Sequence, residues 1–459
     1  MIPNNTGSTL AGDLAGFVTR QCIGDLPPTT IEYAAMLIAS TVASASLGST
    51  LESAKIMRVL ELQRGGVPEA SLWFGGGPKL PVAAAARINA LMSDASASDD
   101  SDLRNITHPG TTLAACSLAI AENTGASGED VLAAIVLGYE AAGRINSGVI
   151  PGLREKGYHG CIIAIFAGAV ASGRLLKLDA SQMTHAIGLA ATSIGGIMAA
   201  ARTSVAREYH AGLAAMLGVN AAQAAKLGYT AEAGILESPV GFFHIYGEGP
   251  KAPQVARVTA DLGKRWDILT EMAIKLVPGG NPYHALAEAA ANAAREGDVA
   301  PENVESITLS QPGVTTLAGP RHPTDPIGVA HSAAYFLSAG VADRAFSWAH
   351  ASEEKINDPR IRSLFDTVRI APPPTEHLER FKQGCIVTIR TRDGGTFSST
   401  VYAPRGAAIN GIEWADVEAK YRALTPFAKI SPANIEASLG LIRGLRSVKE
   451  VAELVDLLR

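Results

Sequence analysis

Cysteine is scarce in this chain of 459 residues, and its four cysteines, Cys22, Cys116, Cys161 and Cys385, stand far apart. Because no two of them form a CxxC pair, the sequence argues against a disulfide framework and against a zinc or iron–sulfur site built from cysteines. Reduced thiols are typical of the cytoplasm. The sequence therefore predicts a cytoplasmic protein that holds no metal.

Clusters of basic residues and long apolar runs are also absent. Lysine and arginine number 39 against 44 acidic residues, and the net charge is −5. Without a block of Lys or Arg, nucleic acid is not expected as a partner. The longest strongly apolar run, Cys161 to Gly173, is too short to span a bilayer, and the polar start, Met1 to Gly12, lacks a leader pattern. Neither a membrane nor a targeting role is predicted.

The composition that remains indicates a large core made of helices. Hydrophobic residues make up 47% of the chain, charged residues 18% and aromatic residues only 5%. Small apolar residues allow helices to pack closely, and the chain also contains 46 glycines. A chain of this length exceeds one ordinary core, so two domains are expected.

Apolar residues recur at helical spacing until about residue 264, where the pattern changes. Strand character then alternates with helices, and a hairpin is predicted between Gly384–Thr391 and Thr396–Tyr402 around an Asp-Gly-Gly turn. The tail returns to helical spacing. We predict a mostly α protein, with an all-helical domain over 1–264, an α+β domain over 265–405, and a helical return over 406–459 that packs on the first domain.

Four short segments place ionisable groups at loops or helix starts, which are common positions for catalytic residues. Among them, His108, Tyr158 and His159 could move protons near neutral pH, and Arg207 and Lys275 could hold carboxylates. No nucleophile elbow, HExxH pair, phosphate loop or dinucleotide fingerprint competes with them. The segments are Thr107-His108-Pro109-Gly110, Gly157-Tyr158-His159-Gly160, Arg207-Glu208-Tyr209-His210 and Lys275 to His284.

An acidic loop, which contains Asp99, Asp100 and Asp102, precedes the first of these segments. Three carboxylates so close together could bind a hard cation, but they lack EF-hand spacing and have no glycine among them. We predict instead that they are solvated or cap a helix.

The same segments, together with Tyr209-His210-Ala211-Gly212, resemble the MmgE/PrpD family over nearly the whole chain. Its members include 2-methylcitrate dehydratase, cis-aconitate decarboxylase and iminodisuccinate epimerase. The resemblance implies a large all-α domain, a smaller α+β lid domain and a homodimer. It also implies catalysis on small di- or tricarboxylates without a metal or an organic cofactor. Asp100, Ser101 and His210 are then expected to contact the substrate together with Arg207.

The chain departs from the family pattern at the acidic loop and at one cation. The family loop usually reads Asp-x-Asp-Asp-Thr-His, but Ala97 replaces its first Asp, Ser101 its Thr and Asp102 its His. Arg207 stands where the family usually has Lys. Because the family's dehydratases and decarboxylases rely on that Asp and that Lys, we predict a different activity that uses the groups which persist.

Those groups suit an epimerase that removes and returns a proton at the carbon next to a carboxylate. Such a reaction needs a base on each face of the carbon and positive groups near the intermediate. We therefore predict an isomerase with iminodisuccinate epimerase-like chemistry. Tyr158 or His159 would act on one face and Lys275 or His284 on the other, with His108 assisting.

Two alternatives to an epimerase are open. The first is a lyase, either a dehydratase that acts on 2-methylcitrate or a relative, or a decarboxylase that acts on cis-aconitate. The second is a non-catalytic protein that binds carboxylates and has kept the fold.

Overall fold

The computed structural model describes residues 8–105, 107–193 and 195–459. It divides the chain into two compact units. The first comprises the described residues of Met1–Met272 together with Val417–Arg459, and the second is Ala273–Asp416. Helices dominate and strands are few, so the predicted class, mostly α with a smaller α+β part, is confirmed.

The α-helices are numbered in chain order. Those that precede the second unit are α1 Leu10–Arg20, α2 Pro28–Gly48, α3 Glu52–Arg64, α4 Val82–Ala95, α5 Pro109–Thr124, α6 Gly128–Val149, α7 Gly152–Glu155, α8 Cys161–Leu175, α9 Ala180–Ala191, α10 Met198–Thr203, α11 Ala206–Lys226, α12 Phe242–Tyr246 and α13 Asp267–Thr270. The second unit contains α14 His284–Glu296, α15 Pro326–Ala330, α16 Ala333–Asp343, α17 Glu353–Ile356 and α18 Pro359–Arg362. The return consists of α19 Trp414–Leu424, α20 Pro432–Arg443 and α21 Ala452–Leu457.

The described strands are short. They are β1 Asp100–Asp102, β2 Met272–Ile274, β3 Val304–Ser310, β4 Val368–Ile370, β5 Cys385–Thr391 and β6 Thr396–Val401.

The first unit is built around α8, which packs against α5, α6 and α11. Its residues are almost all buried, as expected for a helix that is apolar on every side. Small residues allow the close approach: a methyl group added at Gly218 of α11 would lie 2.9 Å from the Ala169 backbone nitrogen. It would also lie 3.0 Å from the Gly168 Cα.

Local sequence signals set several helix starts. The Ser127 hydroxyl accepts the Asp130 N–H, and the Asp130 carboxylate accepts the Ser127 N–H, so a capping box begins α6. Asp179 and Gln182 do the same for α9. Residues 233–237, which follow α11, form turns.

One helix, α2, is long and apolar enough to cross a membrane by length and composition. However, 89% of its most apolar 18-residue window is buried within the protein. The core helix of a folded protein passes the same test.

The second unit is an α+β layer structure. Its sheet has the order β4-β3-β5-β6, with β4 parallel to β3 and the other neighbours antiparallel. The β5–β6 hairpin is the one predicted from the Asp-Gly-Gly turn. Alternate residues of β5 are buried, and α14 packs on β5, on β6 and on α16. The core therefore lies between one face of the sheet and these two helices.

We expect Gly218→Ala to lower the free energy of unfolding by about 1–3 kcal/mol, because the added methyl group would overpack the contact between α8 and α11. The matched control is Gly440→Ala, which lies on α20 with no atom within 4 Å of the added methyl group. Relief of glycine's backbone entropy should raise stability there by roughly 0.5–1 kcal/mol. Chemical denaturation measures both, and a neutral Gly218→Ala would contradict this packing.

Candidate functional site

Three histidines from three separate segments of the first unit form a row. The ring centroids of His108 and His159 are 6.4 Å apart, and those of His159 and His210 are 5.7 Å apart. His108 directly precedes α5, His159 lies in the turn that leads into α8, and His210 lies on α11. The packing of these helices around α8 thus brings together imidazoles that are distant in the sequence.

His108 is fixed by the acidic loop. Its Nδ1 lies 3.1 Å from the Asp99 carboxylate and 2.5 Å from the Asp100 carbonyl oxygen. Thr111 donates to the same Asp99 carboxylate at 3.1 Å, which holds that side chain in place. Two acceptors at Nδ1 mean that this nitrogen carries the proton, so Nε2 is the atom available for proton exchange.

His159 is buried at the centre of the row, with 2% of its surface exposed. Its backbone N–H donates to the Gly196 carbonyl at 3.1 Å, and its Nδ1 accepts the Cys161 N–H at 3.3 Å. In the neutral ring the proton is therefore on Nε2, which has no hydrogen-bond partner among the described residues. Burial, together with the neighbouring His108, lowers the pKa of His159 to about 3.

Arg207 is joined to Asp94 by an ion pair beside this row. Arg207 Nε lies 2.9 Å from the Asp94 carboxylate, and Nη2 donates to the Asp94 carbonyl at 2.6 Å. The Asp94 side chain is 3% exposed and that of Arg207 is 17% exposed. Burial opposes the charge of Arg207, but Asp94, Asp99 and Glu208 outweigh it and raise its pKa. The guanidinium is thus a fixed cation, part of which remains open to a substrate carboxylate.

The acidic loop is not solvated, and that part of the sequence-based prediction was wrong. Asp99, Asp100 and Asp102 are at most 1% exposed. The Asp100 carboxylate accepts the Gly110 N–H at 3.0 and 3.1 Å in the first turn of α5, so the predicted capping is present. Ser101 is also buried, and its hydroxyl donates to the Asp102 carbonyl at 3.4 Å.

Burying a carboxylate is costly unless it has a partner. Cationic side chains contact this loop. Asp102 pairs with Arg104, which also lies 2.8 Å from Asp267. Lys420 of α19, 1% exposed, donates to the Ser98 carbonyl next to Asp99. Sequence reasoning missed Lys420, because nothing near it in the chain indicates that it meets the acidic loop.

Tyr158 directly precedes His159 in the chain, and its ring contacts the ring of a second tyrosine. Its ring meets that of Tyr246 edge-on at 4.9 Å. Burial and the neighbouring Tyr158 raise the pKa of Tyr246. Sequence reasoning also missed Tyr246, Asp94 and Cys161. Asp94 and Cys161 lie close in the sequence to segments that had been singled out, and that nearness was the available signal.

Two further predicted residues, Lys275 and His284, belong to the second unit. Lys275 follows β2 and is 3% exposed. His284 begins α14, is 4% exposed, and has its Nε2 3.3 Å from the Gly279 carbonyl oxygen. Its ring stacks on Phe336 at a centroid distance of 6.1 Å. Both are buried ionisable residues, and their catalytic roles stay predictions.

The chain belongs to the MmgE/PrpD family. The model of the MmgE/PrpD N-terminal domain matches residues 12–254, and that of the C-terminal domain matches residues 280–437. The chain is 28% identical over 432 residues to a cis-aconitate decarboxylase of Aspergillus terreus (strain NIH 2624 / FGSC A1156), covering 88% of this chain and 86% of that one. It is 25% identical over 455 residues to the cis-aconitate decarboxylase of Homo sapiens, covering 95% and 92%. The enzyme of that name from Mus musculus is 25% identical over 405 residues, covering 85% and 81%.

The predicted isomerase was wrong, because these relatives are named as decarboxylases, which are lyases. The error has a physical reason. The loss of the family's Asp at Ala97 was interpreted as the loss of a carboxylate from the site, but Asp94 supplies a carboxylate beside Arg207 from the end of α4. The departure from the family pattern therefore did not leave Arg207 without a buried carboxylate beside it.

The buried neutral ring of His159 makes stability depend on pH. The unfolded chain takes up a proton on this histidine below about pH 6.5, whereas the folded protein resists protonation until about pH 3. The free energy of unfolding should therefore fall as the pH drops from about 6.5 towards 3. We expect His159→Gln to make this slope shallower by up to about 1.4 kcal/mol per pH unit, measured by urea unfolding at several pH values.

The matched control for that experiment is Thr112→Val, which alters a buried polar side chain that does not titrate. It should shift stability equally at every pH. An identical slope in His159→Gln and the wild-type protein would contradict the neutral buried imidazole.

Proposed function

We propose that this protein is a lyase that removes a carboxyl group from a small tricarboxylate of the cis-aconitate type, using its own side chains as acid and base. The observation that carries the proposal is the row of His108, His159 and His210 beside the Asp94–Arg207 ion pair. Support comes from relatives named cis-aconitate decarboxylase that align with most of the chain.

The reaction needs a cation for the carboxylates that stay and a proton for the carbon that receives electrons. When the bond to the departing carboxylate breaks, carbon dioxide leaves and the electron pair moves into the carbon skeleton, where a proton must be added. In this proposal Arg207 holds one of these carboxylates through its guanidinium group. The partner in this proposal is therefore a small-molecule polycarboxylate.

The proton-transfer groups are the first two histidines of the row. His108 has Asp99 at Nδ1, and this contact fixes the ring and leaves Nε2 for exchange. His159 presents a buried Nε2–H that has no partner in the described part of the chain, and this group can donate to a substrate carboxylate or to an intermediate. Because His159 is buried, its hydrogen bonds are stronger than they would be in water. Burial also disfavours the charged carboxylate that leaves relative to the neutral carbon dioxide that it becomes.

The remaining expectations from the sequence are part of this proposal. Lys275 and His284 would contribute to substrate binding or proton transfer, and Asp100, Ser101, His210 and Tyr158 would shape the site. From the sequence we also propose that the protein is a cytoplasmic homodimer that works without an organic cofactor.

The proposal predicts that the purified protein releases carbon dioxide from cis-aconitate. In heavy water, one deuteron should enter the five-carbon product at the protonated carbon, which proton NMR detects. Tested on 2-methylcitrate, the protein should give no absorbance from a new conjugated double bond. If the protein dehydrates 2-methylcitrate and releases no carbon dioxide from cis-aconitate, it is a dehydratase and the decarboxylase proposal is wrong.

We expect His159→Gln to reduce kcat by roughly 10²–10⁴-fold, the usual contribution of a general acid or base. The control is His185→Gln: this half-buried histidine of α9 has its Nδ1 3.1 Å from the Ala231 carbonyl oxygen and has no role in the proposed reaction. It should keep wild-type kinetics. Equal activity of the two variants in steady-state assays would exclude His159 as a proton-transfer group.

A further inference from the structure

A thiol completes a cluster of nitrogen and sulfur donors at the histidine row. Cys161 begins α8, two residues after His159. One ring nitrogen of His159, one ring nitrogen of His210 and Cys161 Sγ all lie within 4.8 Å of one another. The reaction proposed above gives no role to the thiol, and it uses His210 only to shape the site.

Two ring nitrogens of these histidines are buried without hydrogen-bond partners among the described residues: His159 Nε2 and His210 Nδ1. Buried polar atoms in folded proteins nearly always have a partner, so an unsatisfied pair in one place calls for an explanation. The His159 side chain is 2% exposed. Its Nε2 carries the ring proton in the tautomer described above, so this nitrogen offers a lone pair once that proton has moved to Nδ1.

A glycine, Gly196, packs closely against two of these donors. A methyl group added at Gly196 would overlap Cys161 Sγ and would lie 3.4 Å from His210 Nδ1. The sulfur and this nitrogen therefore border the same small space beside the Gly196 Cα.

We propose that His159, Cys161 and His210 form a binding site for one borderline divalent transition-metal ion of the Zn²⁺ class. Two imidazoles and a thiolate are ligands that such ions prefer, and three protein ligands leave a fourth tetrahedral position for water or for a carboxylate. Zinc–ligand bonds of this kind place the donor atoms about 3.5 Å apart, so small side-chain rotations close the present separations. Because the ion occupies His159, it inhibits the enzyme. This inhibition rests on the proposed function, whereas the binding of the ion does not.

Binding has to displace protons, and this determines its pH dependence. Burial raises the pKa of the Cys161 thiol, so the ion must release that proton to obtain a thiolate. Coordination through His159 Nε2 moves the ring proton to Nδ1, at the expense of the 3.3 Å contact with the Cys161 N–H. Affinity should therefore increase with pH.

A second group of donors, Asp94, Asp99 and His108, also lies close together, but its members already have strong partners. Asp94 binds Arg207, and Asp99 binds Thr111 and His108. Its carboxylates favour harder ions, so the two groups predict different spectra for the same probe ion.

The test is a titration of the full-length, chelator-treated protein with Co²⁺, without substrate. We expect one equivalent to bind, with visible bands of a tetrahedral site and a near-ultraviolet thiolate-to-cobalt charge-transfer band. One equivalent of Zn²⁺ should remove these bands. The charge-transfer band should disappear in Cys161→Ser and persist in Cys22→Ser, which alters an exposed cysteine.

A further variant keeps the test informative if Cys161→Ser does not fold. His210 is half-buried, and His210→Gln should weaken Co²⁺ binding by at least about tenfold, since even the loss of an outer-shell partner costs about 10–100-fold. Co²⁺ that binds without a charge-transfer band, or a band that survives Cys161→Ser, would overturn the proposal. Because the spectrum is read without turnover, an inactive protein that shows the band counts against the proposed lyase and not against the metal site.

Discussion

The buried ion pair between Asp94 and Arg207 is the contact on which the site depends. It connects the end of α4 to the first turn of α11, across 113 residues of sequence. A charge buried at this depth is costly without its partner, so the two side chains fix each other's positions. The pair also acts on two of the histidines: burial lowers the pKa of His159 and of His210, and the Asp94 carboxylate opposes that shift.

Around this pair, each histidine meets a different environment. His108 has a carboxylate and a carbonyl at one nitrogen. The His159 ring has a long contact with a backbone N–H at Nδ1, and its Nε2 has no partner among the residues that the structure describes. Differences of this kind are how neighbouring groups come to act as acid and base. The substrate and the metal ion proposed above would compete for the same atoms of this row, since both proposals use His159 Nε2.

The sequence was a good guide to residue types and a poor guide to what surrounds them. It singled out His108, His159 and Arg207, and the structure groups them. It failed at the acidic loop, because adjacent carboxylates suggest solvent exposure. The loop is buried, and one of its contacts is with Lys420, a cation from far along the chain that donates to the Ser98 carbonyl. It also failed at Ala97, since a carboxylate missing from one position was supplied in space by Asp94. An isomerase was predicted because the chain was compared with the family pattern position by position, without knowledge of which side chains meet in space.

The sequence by itself determined the features that arise from short-range interactions. The capping boxes that begin α6 and α9 and the hairpin of β5 and β6 involve residues only a few positions apart, and the family follows from motifs that are continuous in the chain. Only the tertiary structure decided which distant groups meet, because no local rule couples an aspartate at the end of one helix to an arginine on another or sets three imidazoles in a row. Those contacts exist because small residues let the helices pack closely around α8.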